Sequence, residues 1–278
     1  MIAAAGWHEQ APSDRTPVVA EADETELLAV AREAAQAAAN ELMSRFGQAA
    51  EGVRSKSTPT DLASDADLAA ERAIRQVLGR LRPEDSILGE EEGATGEGEL
   101  RWVVDPLDGT INFLFGIPAF VVSVACEDAT GTIAGVILDP NRDERFEATR
   151  SGEATLNGHA IRGSGRDELA KAMVATGFGY DAGMRARQAI VVSRVLPRVR
   201  DIRRFGAAAL DLAWCAAGRW DAYYERGVHA WDVAAGALIC RRAGLEVRDL
   251  PAADDDPAGL VAAPAAIVDE LLGLVAGN

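Results

Sequence analysis

The run 102–110, WVVDPLDGT, sets two carboxylates three residues apart at the end of an apolar stretch. Trp102, Val103 and Val104 suit a buried strand, and Pro106 lacks the N–H that would continue its ladder. The chain is expected to turn there, with Asp105 at the strand end and Asp108 folded back toward the same spot. Such a pair suits a hard dication, since Mg2+ is usually held by one or two carboxylates together with water and substrate phosphate. Gly109 and Thr110 then open a short helix over 110–115, whose first N–H groups are unpaired and lie at the positive end of the dipole, where an anion would settle. The same residues equally spell a Pro-Asp-Gly turn with Asp108 as a helix cap. On this segment alone the two readings stand level.

A second acidic cluster lies upstream. Residues 86–88, SIL, read as a short strand, and Gly89 ends it before Glu90, Glu91 and Glu92. For Glu90, directly after the glycine, a ligand role is expected. Glu92, Glu97 and Glu99 belong to a Gly- and Glu-rich surface stretch, GATGEGE over 93–99. Far along the chain, 221–226 (DAYYER) reads as a strand and 231–243 (WDVAAGALICRRA) as a helix with Asp232 in its first turn. Taken singly, Asp232 is an ordinary helix-start carboxylate that complements the dipole. Taken together, Glu90, Asp105, Asp108 and Asp232 are the complement a two-metal phosphatase needs to hold ions about 3.5–4 Å apart.

GEE at 89–91, WVVDPLDGTINF at 102–113 and WDVAAG at 231–236 resemble, in this order, the signature motifs of the inositol monophosphatase family. KSTPTDLASDADLAAE at 56–71 and RFGAAALDLAWCAAGRWDAYYE at 204–225 extend the likeness over about 25–275. The resemblance implies a layered α/β/α/β/α sandwich with mixed and antiparallel sheets. It also implies a Mg2+-dependent, Li+-sensitive phosphomonoesterase acting on myo-inositol 1-phosphate or a related polyol phosphate, and a homodimer. On this footing two or three Mg2+ are held by Glu90, Asp105, the Leu107 carbonyl, Asp108 and Asp232, with Asp105 bridging. Asp67 is the further acid of the metal site and pairs with Thr110 to orient the attacking water, and Glu90 helps accept its proton. Gly109 and Thr110 receive phosphate oxygens, with Asp108 and Asp232 beside the substrate.

The resemblance further places Gly206, Ala208 and Glu225 along the polyol. Glu225 on a strand edge is otherwise a solvated partner of Arg226, and the polyol role is the favoured one. Ala207 stands where many relatives carry serine or threonine, which removes a side-chain hydrogen bond and loosens the expectation of strict inositol specificity. Asp65 is read as a helix-start residue or as tuning a weaker third metal. Lys56, in a chain that apart from Lys171 uses arginine, matches a family lysine beside the metals. Relatives also hydrolyse histidinol phosphate, fructose 1,6-bisphosphate and 3′-phosphoadenosine nucleotides, so these remain alternative substrates. A binding protein that kept the fold without catalysis is disfavoured by the complete carboxylate set.

Composition agrees. With 278 residues, 48% of them hydrophobic, the chain can bury a substantial core. Its formal charge of −16 disfavours a nucleic-acid surface, and an anionic substrate then needs local cations to overcome repulsion. Cys126, Cys215 and Cys240 show neither CxxC spacing nor a disulfide pattern, which points to reduced thiols in the cytoplasm. No apolar run approaches a membrane span.

The elements that must carry these residues alternate. Helices are expected over 25–46 and 61–81, long Ala-, Glu- and Arg-rich patterns stopped by Gly47 and Pro83. Strands over 120–127 and 133–139, joined by DATGT, form a hairpin and hence an antiparallel sheet. A further strand is expected over 174–177, and helices over 183–198 and 207–217. Residues 1–24 are read as a disordered tail, and 25–278 as one unit of two intimate halves, about 25–165 and 166–278, with the metal site between them.

Overall fold

The computed structural model describes residues 23–48, 52–56, 62–253 and 255–277. Of the expected tail, only Asp23 and Glu24 fall among them, the first capping and the second opening the first helix. Helix α1 (Glu24–Arg45) starts there because the Asp23 carboxylate accepts the amide of Thr25 at 2.9 Å. Its alanines line one buried face, against which α2 (Asp65–Leu81) packs. The second helix starts at Asp65 rather than 61, since Ser64 is extended and caps it. The short strands β1 (Arg54–Ser55) and β2 (Leu62–Ala63) pair between them.

Chain order then gives β3 (Ser86–Gly89), β4 (Gly93–Thr95), β5 (Arg101–Asp108) and the five-residue helix α3 (Thr110–Leu114). There follow β6 (Val121–Asp128), β7 (Gly131–Asp139), β8 (Glu144–Thr149), β9 (Thr155–Leu156) and β10 (His159–Ala160). These strands form an 8-stranded sheet in the order β10-β9-β8-β7-β6-β5-β3-β4, with β3 and β5 parallel and the other pairs antiparallel. The second half of the chain supplies β11 (Met173–Thr176), α4 (Ala182–Val195), β12 (Asp201–Arg203), α5 (Ala208–Ala216), β13 (Ala222–Arg226) and α6 (Ala230–Arg242). It ends with β14 (Glu246–Leu250), β15 (Gly259–Ala263) and α7 (Ala265–Ala276). Its 5-stranded sheet runs β12-β11-β13-β15-β14, and β11 is parallel to both neighbours.

Five layers result. Helices α1 and α2 cover the outer face of the large sheet, α5 and α6 fill the space between the two sheets, and α4 with α7 cover the far face of the small one. The chain is thus a layered α/β sandwich. Small residues make the middle layer thin: a Cβ on Gly135 of β7 would fall 2.9 Å from the Ala235 Cα of α6, and one on Gly236 would fall 2.7 Å from the Leu212 side chain of α5.

Candidate active site

Strand β5 does not end at Pro106. It runs on to Asp108, and its pairing with β6 slips between Asp105 and Asp108. That irregularity accommodates the proline, whose missing N–H falls where the ladder is already broken. The Leu107 amide turns inward to donate to Asp105 Oδ1 at 3.0 Å. At Gly109 the chain takes a left-handed conformation, φ 94°, and a Cβ there would lie 2.9 Å from the Ala119 carbonyl oxygen. Glycine is therefore required, and it launches α3 with Thr110 as the first residue.

Thr110 and Asp67 meet. The threonine Oγ1 lies 3.0 Å from Asp67 Oδ1 and 3.1 Å from the Leu107 carbonyl. The other oxygen of Asp67 accepts both the amide and the hydroxyl of Ser64 at 2.8 Å, so the acid is a helix-start residue of α2 as well as the partner of Thr110.

Asp108 is indeed a cap, but of a distant helix. Its carboxylate accepts the amides of Ala208 at 3.0 Å, Ala209 at 2.8 Å and Leu210 at 3.2 Å, across the gap between the sheets. Asp232 in α6 likewise accepts the His229 amide at 2.6 Å, while the His229 ring stacks on Trp231. Both carboxylates thus hold helix starts and face the same space.

Asp105 lies close enough to Glu90, Asp108 and Asp232 for their charges to act on it. Burial, then the neighbouring acids Glu90, Asp108 and Asp232, push the Asp105 carboxyl well above its usual range. Asp108 is pushed up well above it by burial and by Asp232, against the pull of the α5 amides. Burial raises Glu90 to about 7, offset in part by Lys56, and Asp232 to about 6. Lys56 places its ammonium 2.8 Å from Glu90 Oε1 and also pairs with Glu91. Among the described residues no three carboxylates or imidazoles close on one point as a finished ligand set. The four acids are neighbours, each oriented by its own donors: Glu90 by Lys56, Asp105 by the Leu107 amide, Asp108 by α5 and Asp232 by the His229 amide.

On the side of the small sheet, Glu225 accepts the Tyr223 hydroxyl at 2.8 Å, and a Cβ on Gly177 would fall 2.0 Å from its Oε2. Burial pushes it up to about 7. It is not the partner of Arg226, whose guanidinium donates to the carbonyls of Pro251 and Pro257 at 2.9 Å. Gly206 takes φ 81° and leads into α5, and Asn112 ties this corner to α3 by donating to the carbonyls of Ala119 at 2.7 Å and Phe205 at 2.8 Å. Asp65 is exposed at the start of α2, where its carboxylate fills the space beside Gly52.

Sequence reasoning passed over Glu71, Arg75, Asn112, Tyr223, Gly177 and the buried Asp211. Glu71 alone carried a local signal: four residues after Asp67 on one helix, it lies on the same buried face. Arg75 lies one turn on from Glu71 and Tyr223 two residues before Glu225, whereas Asn112, Gly177 and Asp211 meet the site through packing distant in sequence.

A family profile described as the inositol monophosphatase family matches residues 23–275. The chain belongs to the inositol monophosphatase family. It is 45% identical over 241 residues to the inositol-1-monophosphatase SuhB of Mycobacterium tuberculosis, covering 83% of each chain. A protein of Xylella fastidiosa named as the Nus factor SuhB is 47% identical over 195 residues, covering 70% of this chain and 71% of its own. Among solved structures, the extragenic suppressor protein suhB of Bartonella henselae superposes with a TM-score of 0.82 at 37% identity, over 90% of this chain and 98% of its own. Membership makes this chain an enzyme, a phosphatase of the inositol-phosphate type.

Proposed function

We propose that the chain hydrolyses the phosphate monoester of a polyol, myo-inositol 1-phosphate or a close relative, with Mg2+ held between the two halves. Enzymes of this family need a divalent metal. The donor set fits a hard ion: Glu90, Asp105, Asp108 and Asp232 offer carboxylate oxygens, the Leu107 carbonyl adds a further oxygen, and Lys56 at Glu90 and Glu91 with Arg54 at Glu91 leaves negative charge in excess. Bound there, two or three Mg2+ supply neutralisation of the phosphate and a lowered pKa for water.

The residues of the chain do the rest. Thr110, fixed by Asp67, directs a water toward phosphorus, and Glu90 helps take up its proton. The amides of Gly109 and Thr110 receive phosphate oxygens, and Asp108 and Asp232 lie beside the ester. Water oxygen bonds to phosphorus as the bond to the alcohol oxygen breaks, and the leaving oxygen takes a proton from solvent, giving free phosphate and polyol. Glu225, with Gly206 and Ala208, holds the hydroxyls of the leaving polyol. The observation that carries this reading is the neighbourhood of the buried Asp105 with the half-buried Glu90 and Asp232, beside the Thr110–Asp67 pair.

We further assign the active form to a cytoplasmic homodimer that binds neither nucleic acid nor membrane. Phe115 and Ile117, 74% and 48% exposed just after α3, are the apolar surface that supports self-association, and the three cysteines are free and buried. Among the described residues no helix is long and apolar enough to cross a membrane. Phosphate release is to be measured with myo-inositol 1-phosphate, histidinol phosphate, fructose 1,6-bisphosphate and 3′-phosphoadenosine 5′-phosphate, with Mg2+, with chelator, and with added Li+. The highest kcat/KM is expected for the inositol ester, with loss in chelator and inhibition by Li+. Full activity in chelator, or in Asp105→Asn, contradicts the proposal. Light scattering reads the dimer.

A further inference from the structure

Glu71 is wholly buried on α2, yet the reaction as described does not use it. Its Oε2 accepts the Glu91 amide at 2.7 Å and its Oε1 the Glu92 amide at 3.0 Å, the two peptide groups that follow Glu90. Arg75, one turn on, donates to Glu71 Oε1 at 2.8 Å and reaches the Gly93 carbonyl at 2.6 Å and the Thr95 hydroxyl at 2.8 Å. A Cβ on Gly89 would lie 2.2 Å from Glu71 Oε1, so the glycine before Glu90 leaves room for this carboxylate. The turn that presents Glu90 is therefore built around Glu71, with Arg75 bracing it from the far side.

We propose that Glu71 is a positioning residue for the metal site: it fixes the backbone of the 89–92 turn so that Glu90 presents its carboxylate toward Asp105 and Asp232. The inference rests on Glu90 being a metal ligand. An ionised carboxylate is the group this place requires, because both of its oxygens accept. In Glu71→Gln one oxygen becomes an NH2 donor facing N–H groups, and Arg75 loses the nearer of its two counter-charges, keeping Glu92 at 3.4 Å. Glu90 itself is unchanged in that variant, so any loss comes from its placement.

The test is calorimetric titration of Mg2+ into the full chain and into Glu71→Gln, together with the Mg2+ concentration giving half-maximal phosphate release. Removing a group that orients a ligand typically weakens metal binding about 10- to 100-fold, and both readouts are expected to move by that amount. Excess Mg2+ is expected to restore much of kcat. Glu147→Gln is the control, another buried acid, held by Arg32 at 2.7 Å and Arg145 at 2.8 Å on β8. It is expected to lower Tm without moving either Mg2+ readout. If Glu71→Gln does not fold, Glu71→Asp is measured instead. Its charge is kept but its shorter reach loses at least one amide, and the same weakening is expected. Mg2+ affinity within twofold of the parent in the folded variant overturns the inference and leaves the metal reading standing. A parent chain that takes up no Mg2+ overturns both.

Discussion

Asp108 Oδ2 accepts the backbone N–H of Ala209 at 2.8 Å, and this one contact joins the acidic arm of the large sheet to the first turn of α5 in the second half of the chain. A carboxylate taking three amides of a helix start is a strong cap. It also means that Asp108 is oriented by a helix that no neighbouring residue in sequence belongs to.

Asp108→Asn keeps the shape and one acceptor oxygen, but places an amide donor against amide donors. Its kcat/KM for the inositol ester is expected to fall at least about 100-fold, since Asp108 is a proposed ligand and the loss of even a group that orients a ligand costs up to that much. Steady-state phosphate release checks it, with circular dichroism to show that the fold survives.

Thr110→Val is isosteric and removes only the hydroxyl between Asp67 and the Leu107 carbonyl. A buried acceptor that loses its donor costs about 1–3 kcal/mol, though Asp67 keeps two donors from Ser64 and the loss of stability should sit at the low end. The rate is expected to suffer more: a fall in kcat of about 100-fold or more with little change in KM, read by full Michaelis curves.

Glu225→Gln separates the alcohol from the phosphate. KM for the polyol ester is expected to rise about tenfold, one hydrogen bond to a charged group, while 4-nitrophenyl phosphate, which has no polyol, is hydrolysed as before. Gly177→Ala puts a methyl where the Glu225 carboxylate rests, and the same selective loss is expected.

Acid is expected to stabilise the chelated protein. Glu225 is raised from 4.5 to about 7, and burial together with Glu225 and Asp108 holds the unpartnered Asp211 well above the usual range. Between about pH 4.5 and 7 the folded chain therefore binds more protons than the unfolded one, and stability falls as pH rises through that window. Tm in chelator should drop by about 5 °C from pH 5.5 to pH 7.5, and by less in Glu225→Gln, as scanning calorimetry will show.

Much of this was legible in local pattern. The Ala-rich helices α1 and α2, the hairpin of β6 and β7 and the apolar core of β5 follow from periodicity, and the acids of the site sit where strands end or helices begin. Other features leave no local mark. Pro106 breaks a ladder, so a turn is the natural expectation, yet the slipped register lets β5 run on to Asp108. Strand β15 pairs with β13, from which it is distant in sequence, and β14 joins the sheet only through β15. Asp108 looks like the cap of the helix just after it, whereas Gly109 holds that place and the carboxylate reaches α5 instead. In each case the decisive partner lies on another element.

The slipped strand at Pro106 carries the phosphate end of the site on the large sheet, whereas Glu225, Gly177 and the start of α5 belong to the other half. On the proposed reading, chemistry and choice of alcohol fall largely on different elements, with Asp232 of α6 and the α5 amides that hold Asp108 linking the two. A lineage can rework β13 toward a new alcohol while the carboxylates of the large sheet stay in place, so relatives with one reaction and many substrates are what this architecture makes easy to reach.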